Sequence, residues 1–148
     1  MTKLEIFQKL NPEITKIKIL REGEDIVGWE LLKNDEALGY GFIMKAPDSA
    51  LDVPDTEEFD IYEVTGIIDP EFRIRSLDIV LHEDYHGDLW AEEIVETAYR
   101  DQYVGLASDQ VGPAPEGSVD AISGSTISSD AVVSAVRKKL EKFESIYK

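Results

Sequence analysis

The 148-residue chain contains no cysteine, and this absence removes several kinds of site at once. Disulfide bonds, zinc sites built on thiolates and iron–sulfur clusters held by cysteine are all excluded. The compartment stays open, because both reducing and oxidising environments accept a chain without cysteine.

Long apolar runs are also missing from the sequence. No stretch approaches eighteen consecutive apolar residues, so nothing in it predicts a transmembrane helix. The opening residues, MTKLEIFQKLNPE, lack the basic flank, apolar centre and small-residue cleavage site of a signal peptide. We therefore expect a chain that is soluble as given, with no direct insertion into a membrane.

Basic residues are scarce relative to acidic ones. The chain has 15 lysines and arginines against 31 aspartates and glutamates, for a formal net charge of −16. Such an excess argues against nucleic acid and anionic membrane surfaces as partners, and it favours solubility and basic partner surfaces. With 43% hydrophobic residues the chain is able to form a single core, and we expect one domain over residues 1–148.

The periodicity of the apolar residues predicts an α+β fold, a single domain in which an antiparallel sheet is flanked by helices. Alternation predicts five strands, in ITKIKIL, DIVGWELL, LGYGFIMK, IYEVTGII and FRIRSLDIVL. Steps of three and four predict helices over residues 2–10, 89–103 and about 128–147. In the third strand Tyr40 and Phe42 share one face, while Gly39 and Gly41 suggest a bulge or close approach by a flat group.

The last predicted helix has an apolar stripe and a polar beginning. Its stripe consists of Val133, Val136, Leu140, Phe143 and Tyr147. Ser128 or Ser129 is the expected N-cap, with Asp130 in the first turn. Several lysines and an arginine near its C-terminal end suit the helix dipole.

The segment His82-Glu83-Asp84-Tyr85-His86 matches the H-E-x-x-H pattern of zinc hydrolases and contains the only two histidines of the chain. That chemistry needs both histidines on one helical face together with a third ligand. Here the run before His82 alternates like a strand, Gly87 interrupts a helix, and no third histidine exists. We therefore expect a polar loop without bound metal, and zinc hydrolysis is a remote alternative.

A second segment, DAISGSTISSDAV, stands directly before the last predicted helix. Its small residues allow backbone N–H groups to point at an anion, where the helix dipole adds positive potential. A phosphate would be favoured there. On local physics alone, an ordinary N-capping cluster of serine and threonine is the preferred interpretation.

This segment resembles the D-x-x-[ST]-G-A-[ST]-x-[ST]-S motif of the FMN-binding domain found in the Rnf and Nqr ion-pumping complexes. The opening, from IFQKLNPE to GYGFIMK, is similar to the start of that family, and YEVTGIIDPEFRIRSLDIVLHED resembles the strand pair before its H-x-E-T-P-G loop. The resemblance covers nearly the whole chain. Two departures are Ser125 in place of alanine and Tyr85-His86 in place of Thr-Pro.

The resemblance implies FMN as the cofactor, bound covalently through a phosphoester to the side chain of Thr126. It implies that Asp120, Ser123, Gly124 and Ser125 surround the attachment site. His82, Asp84, Tyr85 and Gly87 would then lie on a loop beside the flavin. Residues that would border the flavin ring, or simply belong to the core, are Tyr40, Phe42, Tyr85, Leu89 and Trp90.

The implied function is electron transfer: an FMN-carrying domain that relays electrons between redox partner proteins, after a flavin transferase has attached the cofactor. It would act as a carrier within an oxidoreductase system and not as a stand-alone catalyst. The alternative is a module that binds FMN or another phosphate ligand noncovalently. Since relatives often carry an N-terminal membrane anchor, the chain would be either cytoplasmic or an extracytoplasmic domain without that anchor.

Overall fold

In the part of the chain that the structure describes, five strands form one antiparallel sheet in which each strand pairs with the next in sequence, and a helix packs on each face. The computed structural model describes residues 2–46, 62–81, 100–111, 119 and 126–148. Its helices and strands are α1 (Lys3–Leu10), β1 (Lys16–Glu22), β2 (Asp25–Lys33), β3 (Glu36–Ala46), β4 (Tyr62–Ile68), β5 (Ile74–Leu81) and α2 (Thr126–Tyr147). Two short 3₁₀ turns, Asp101–Tyr103 and Ser108–Gln110, lie between β5 and α2. The predicted α+β class is confirmed.

Helix α1 is held at its start by a capping box. The Thr2 hydroxyl accepts a hydrogen bond from the Glu5 backbone N–H, and the Glu5 carboxylate accepts one from the Thr2 backbone N–H, both at 3.1 Å. This exchange satisfies two donors that a helix start otherwise leaves free. The helix ends at Leu10, before Asn11-Pro12, as the sequence predicts.

The glycines of β3 explain how α1 approaches the sheet. The register between β2 and β3 shifts beside Gly39, which adopts a φ of +139°, so the predicted bulge is present. At Gly41 a flat group does approach closely, and that group is the ring of Phe7 from α1. A Cβ on Gly41 would lie 2.5 Å from that ring. Because Gly41 has no side chain, helix α1 packs directly against the backbone of β3.

Alternation along the strands divides the core into two parts. On the α1 side the buried residues are Phe7, Ile14, Trp29, Leu31 and Ile67. On the α2 side, Phe42 and Met44 pack with residues of β4, β5 and α2. The predicted stripe of α2 is confirmed, since Val133, Val136, Leu140 and Phe143 are all buried.

Strand β1 departs from its predicted burial. Its pattern leads us to expect Ile17 and Ile19 as the buried face of a half-buried strand, but Ile19 is 52% exposed. The physical reason is position: β1 is the first strand of the sheet, and α1 covers β3 and its neighbours more than this edge. Within the described ranges, no helix combines the length and apolar content needed to cross a bilayer.

Candidate functional site

Helix α2 begins at Thr126, two residues before the predicted start. Ser128 and Ser129 therefore lie inside the helix, and their predicted role as N-cap is wrong. Packing of the rest of α2 on the sheet decides this boundary, because serine and threonine only weakly oppose helix formation. Asp130 becomes the fifth residue, so the first turn contains no acidic residue.

The body of α2 is anchored along the sheet. Val132, Val136, Leu140 and Phe143 are fully buried, and Phe143 lies against Gly28 of β2. The Lys139 ammonium donates a hydrogen bond of 3.2 Å to the backbone carbonyl of Val27. A helix fixed in this way holds its N-terminus in a defined position, and sites on such elements are more accurately placed than sites on loops.

Val119 anchors the chain on the other side of the predicted motif. Its side chain is 1% exposed and belongs to the same core cluster as Val132 and Val136. The sequence analysis did not identify Val119 as a buried residue. The sequence does contain a signal for it, because Val119 is a lone apolar residue between a Gly/Pro-rich connector and the motif. Asp120, Ser123, Gly124 and Ser125 themselves lie outside the described residues. Val119 and helix α2, on either side of residues 120–125, thus belong to one core.

The second predicted segment begins where β5 ends. That strand runs through Leu81, so the approach to His82 is a strand, as its alternation predicts. The segment His82–Gly87, with Asp84, Tyr85 and His86, lies outside the described residues, and its place beside a flavin stays a prediction. Among the side chains that the structure does describe, no group of three histidines and carboxylates is arranged to hold a metal ion.

Two of the ring-bordering candidates belong to the core. Phe42 is fully buried in the core cluster beneath α2. Tyr40 packs against Phe72, Phe143 and Tyr147, with ring centroids 5.3–5.5 Å apart. Tyr147 ends α2, roughly 31 Å along the helix axis from Thr126 at about 1.5 Å per residue. Tyr40 therefore packs near the end of α2 opposite to Thr126, and its place beside a flavin ring stays a prediction. Tyr85, Leu89 and Trp90 lie outside the described residues.

The surroundings of Tyr40 also shift the pKa of its hydroxyl. Burial raises the pKa of its hydroxyl, and the nearby carboxylate of Glu30 and the hydroxyl of Tyr147 raise it further. Its neutral form is therefore favoured over a wider pH range than that of a free tyrosine.

The start of α2 suits a phosphate on electrostatic grounds. A helix of 22 residues has a full macrodipole, and its first backbone N–H groups have no partner within the helix. Because the first turn holds no carboxylate, an anion placed there meets no like charge from that turn. The residues of this helix start thus fit the phosphate end of FMN.

The sequence model of a protein family described as FMN-binding domain matches residues 2–141. No curated protein matches the chain at a significant level.

Proposed function

The chain belongs to the FMN-binding domain family, and from this membership we propose that it carries FMN joined through a phosphoester bond to Thr126 and relays electrons between redox partner proteins. FMN as the cofactor follows from the family. The covalent bond, the residue that forms it and the relay are our proposal. The observation that carries it is the position of Thr126 as the first residue of the anchored helix α2.

A phosphoester at this residue would place the phosphate group at the helix start. Two backbone features favour it there: the N–H groups of the first turn, which have no partner within the helix, and the positive end of the helix dipole. The hydroxyl of Thr126 would supply the bridging oxygen, with net loss of one water. Asp120, Ser123, Gly124 and Ser125 would form the surroundings that a flavin transferase recognises in its substrate.

FMN, when bound, supplies exchange of one or two electrons. The task of the chain is then to hold the cofactor in place and control its surroundings. Attachment through the phosphate leaves the redox ring chemically unmodified, and the buried residues Val119 and Val132, on either side of the motif, belong to one core. The loop from His82 to Gly87 would line the flavin and modulate its potential.

The direct test is the intact mass of the protein after co-expression with a flavin transferase. Wild type should gain the mass of FMN less one water, and it should stay yellow after denaturing precipitation. Thr126→Ala should gain nothing. Thr126→Ser keeps a hydroxyl and should retain part of the labelling. Ser128→Ala is the matched control, since it removes a hydroxyl from the same turn and should label like wild type.

Three results would contradict the proposal. Peptide mapping that places the flavin on Ser123 or Ser125 would overturn the residue assignment. Flavin that co-purifies but is released on denaturation would establish the noncovalent module instead. Finally, attached flavin that dithionite cannot bleach, or that ferricyanide cannot restore, would exclude the relay.

A further inference from the structure

Strand β1 forms one edge of the sheet in the part of the chain that the structure describes. Its seven residues, Lys16–Glu22, include neither proline nor glycine, the two residues that weaken pairing with a further strand. The described residues contribute β2 on one side of β1 and no strand on the other. The backbone groups on that outer side are therefore able to pair with an added strand.

An isoleucine at the centre of this edge is left exposed. Ile19 is the fourth residue of β1 and lies opposite Trp29 of β2, on the α1 side of the sheet. Its side chain is 52% exposed, although Trp29 beside it is buried. Ile26 of β2, which lies opposite Arg21, is 45% exposed. Covering these side chains would favour association.

Charge is distributed unevenly along β1 and the turn that follows it. Residues 16–25 contain three basic and three acidic side chains, so this segment is neutral in sum although the chain carries −16. The basic residues come first and the acidic ones last, in the order Lys16, Lys18, Arg21, Glu22, Glu24 and Asp25. An antiparallel second copy would bring the basic beginning of one strand beside the acidic end of the other. A parallel copy would set like charges side by side.

The charged side chains of β1 are available for such contacts. Lys16 and Lys18 are exposed, and neither forms an ion pair with a described residue. Glu30 lies opposite Lys18 across the β1–β2 pair. Glu22 contacts Lys142, but this pair is exposed, and a carboxylate with two oxygens accepts a second cation. Lysines on an edge oppose indiscriminate strand addition, yet they permit a register in which they meet carboxylates.

We infer that β1 is the interface through which two copies of this chain pair, antiparallel and related by a two-fold axis through Ile19. The two sheets continue across this interface as one. Ile19 then lies opposite itself, Lys16 lies opposite Glu22 of the partner subunit, and all seven residues of the strand are paired. A register centred on Leu20 pairs only five of them, and one centred on Lys18 places like charges opposite each other. Pairing through β1 involves none of the residues proposed to hold FMN.

Repulsion between two chains of net charge −16 opposes this pairing, and salt decides how strongly. At about 0.15 M salt the Debye length is about 8 Å, so charges far from the interface are largely screened. Opposed side chains on neighbouring strands have Cβ atoms about 5 Å apart, which is within that length. The dimer should therefore strengthen as salt rises from low concentration to about 0.15 M.

Sedimentation equilibrium over a concentration series up to about 1 mM should show monomer and dimer in exchange. Lys16→Glu sets carboxylates opposite each other in both symmetry-related contacts and should weaken the dimer at least about tenfold. Glu22→Lys should weaken it for the opposite reason. A mixture of the two variants regains both contacts in the heterodimer and should associate more tightly than either variant alone. The matched controls Lys9→Glu and Glu71→Lys change exposed charges away from β1 and should dimerise much more like wild type.

Cysteine cross-linking tests the register, because the chain has no cysteine of its own. Ile19→Cys places both sulfur atoms at the two-fold axis, at a separation that a disulfide bond nearly spans. Mild oxidation should join this variant into covalent dimers at least about tenfold faster than Val80→Cys. Val80 is the matched control, since it is 44% exposed on the opposite edge strand, β5.

All the substituted side chains are exposed, so the fold should survive, and circular dichroism checks this. If a charge reversal does not fold, Lys16→Gln replaces it. A protein that stays monomeric at every concentration and salt would overturn the inference. So would a mixture that associates no better than its components, or equal cross-linking rates at Ile19→Cys and Val80→Cys. Each measurement is made with and without flavin, so failure of the proposed function leaves the result interpretable.

Discussion

At the scale of single residues, Gly41 shows how tightly α1 meets the sheet. A Cβ at this position would lie 2.5 Å from the ring of Phe7, which is fully buried and packs against Trp29 with centroids 5.6 Å apart. The ring has no room to move away, because cores are close-packed. The contact thus requires glycine for its lack of a side chain.

Gly41→Ala should consequently lower the free energy of unfolding by about 1–3 kcal/mol. Urea denaturation measures the loss. The double variant with Phe7→Leu should cost less than the sum of the two single changes, since the smaller side chain leaves space for the added methyl group. Strict additivity of the two changes would show that the ring and the glycine are independent.

Glu5 makes the stability of α1 depend on pH. The backbone N–H of Thr2, and next its hydroxyl, donate hydrogen bonds that lower the pKa of the Glu5 carboxyl. A group whose pKa is lower in the folded state stabilises that state above its unfolded pKa. Its contribution is lost as the pH falls through the lowered value. The first turn of α1 should therefore loosen in acid.

Hydrogen exchange of the α1 amides, followed as the pH is lowered, measures this loosening. Carboxyl NMR titration of Glu5 should also show its pKa rising part of the way toward the ordinary value in Thr2→Ala. The rise is partial because the backbone N–H remains. Thr2→Ser keeps the hydroxyl and should behave as wild type. An unchanged Glu5 titration in Thr2→Ala would rule out the side-chain contribution.

At the scale of elements, α2 supplies a large part of the core cluster that it forms with β3, β4 and β5. Leu140 is fully buried among its apolar stripe, and its contacts extend to the sheet. Removing most of that side chain leaves a cavity that neighbouring residues cannot fill. Leu140→Ala should therefore cost about 2–5 kcal/mol of unfolding free energy. Ser134→Ala, on the exposed side of the same helix, should stay within about 0.5 kcal/mol of wild type. Equal stability of the two variants would exclude the packing role of α2.

The elements were predictable where a local pattern and the tertiary environment agree. The hairpin of β2 and β3, the bulge at Gly39 and the stripe of α2 each follow from periodicity or from glycine. The start of α2 was misplaced because Ser128 and Ser129 resemble a cap, whereas the packing of Val132 and Val133 extends the helix past them. Ile19 was misplaced because alternation reveals which residues share a face but not whether a helix covers that face.

At the scale of the whole molecule, the candidate site was predictable mainly through its motif. Local physics around Thr126 favoured an ordinary cap over an anion site, whereas the family match favours a flavin. The sequence could not show that Val119 and helix α2, on either side of residues 120–125, belong to one core.

The net charge of −16 also governs the stability of the molecule as a whole. Self-repulsion destabilises a compact state of high charge, and salt reduces that repulsion. Ion pairs between described side chains, such as Lys33–Glu13 and Arg137–Glu141, are largely exposed, so screening them costs little.

The melting temperature at neutral pH should therefore rise as sodium chloride increases to about 1 M, where the Debye length is about 3 Å. Near the isoelectric point, about pH 4.4, the repulsion vanishes and the same salt series should have a much smaller effect. A melting temperature that falls with salt at neutral pH would mean that attractive ion pairs outweigh the repulsion.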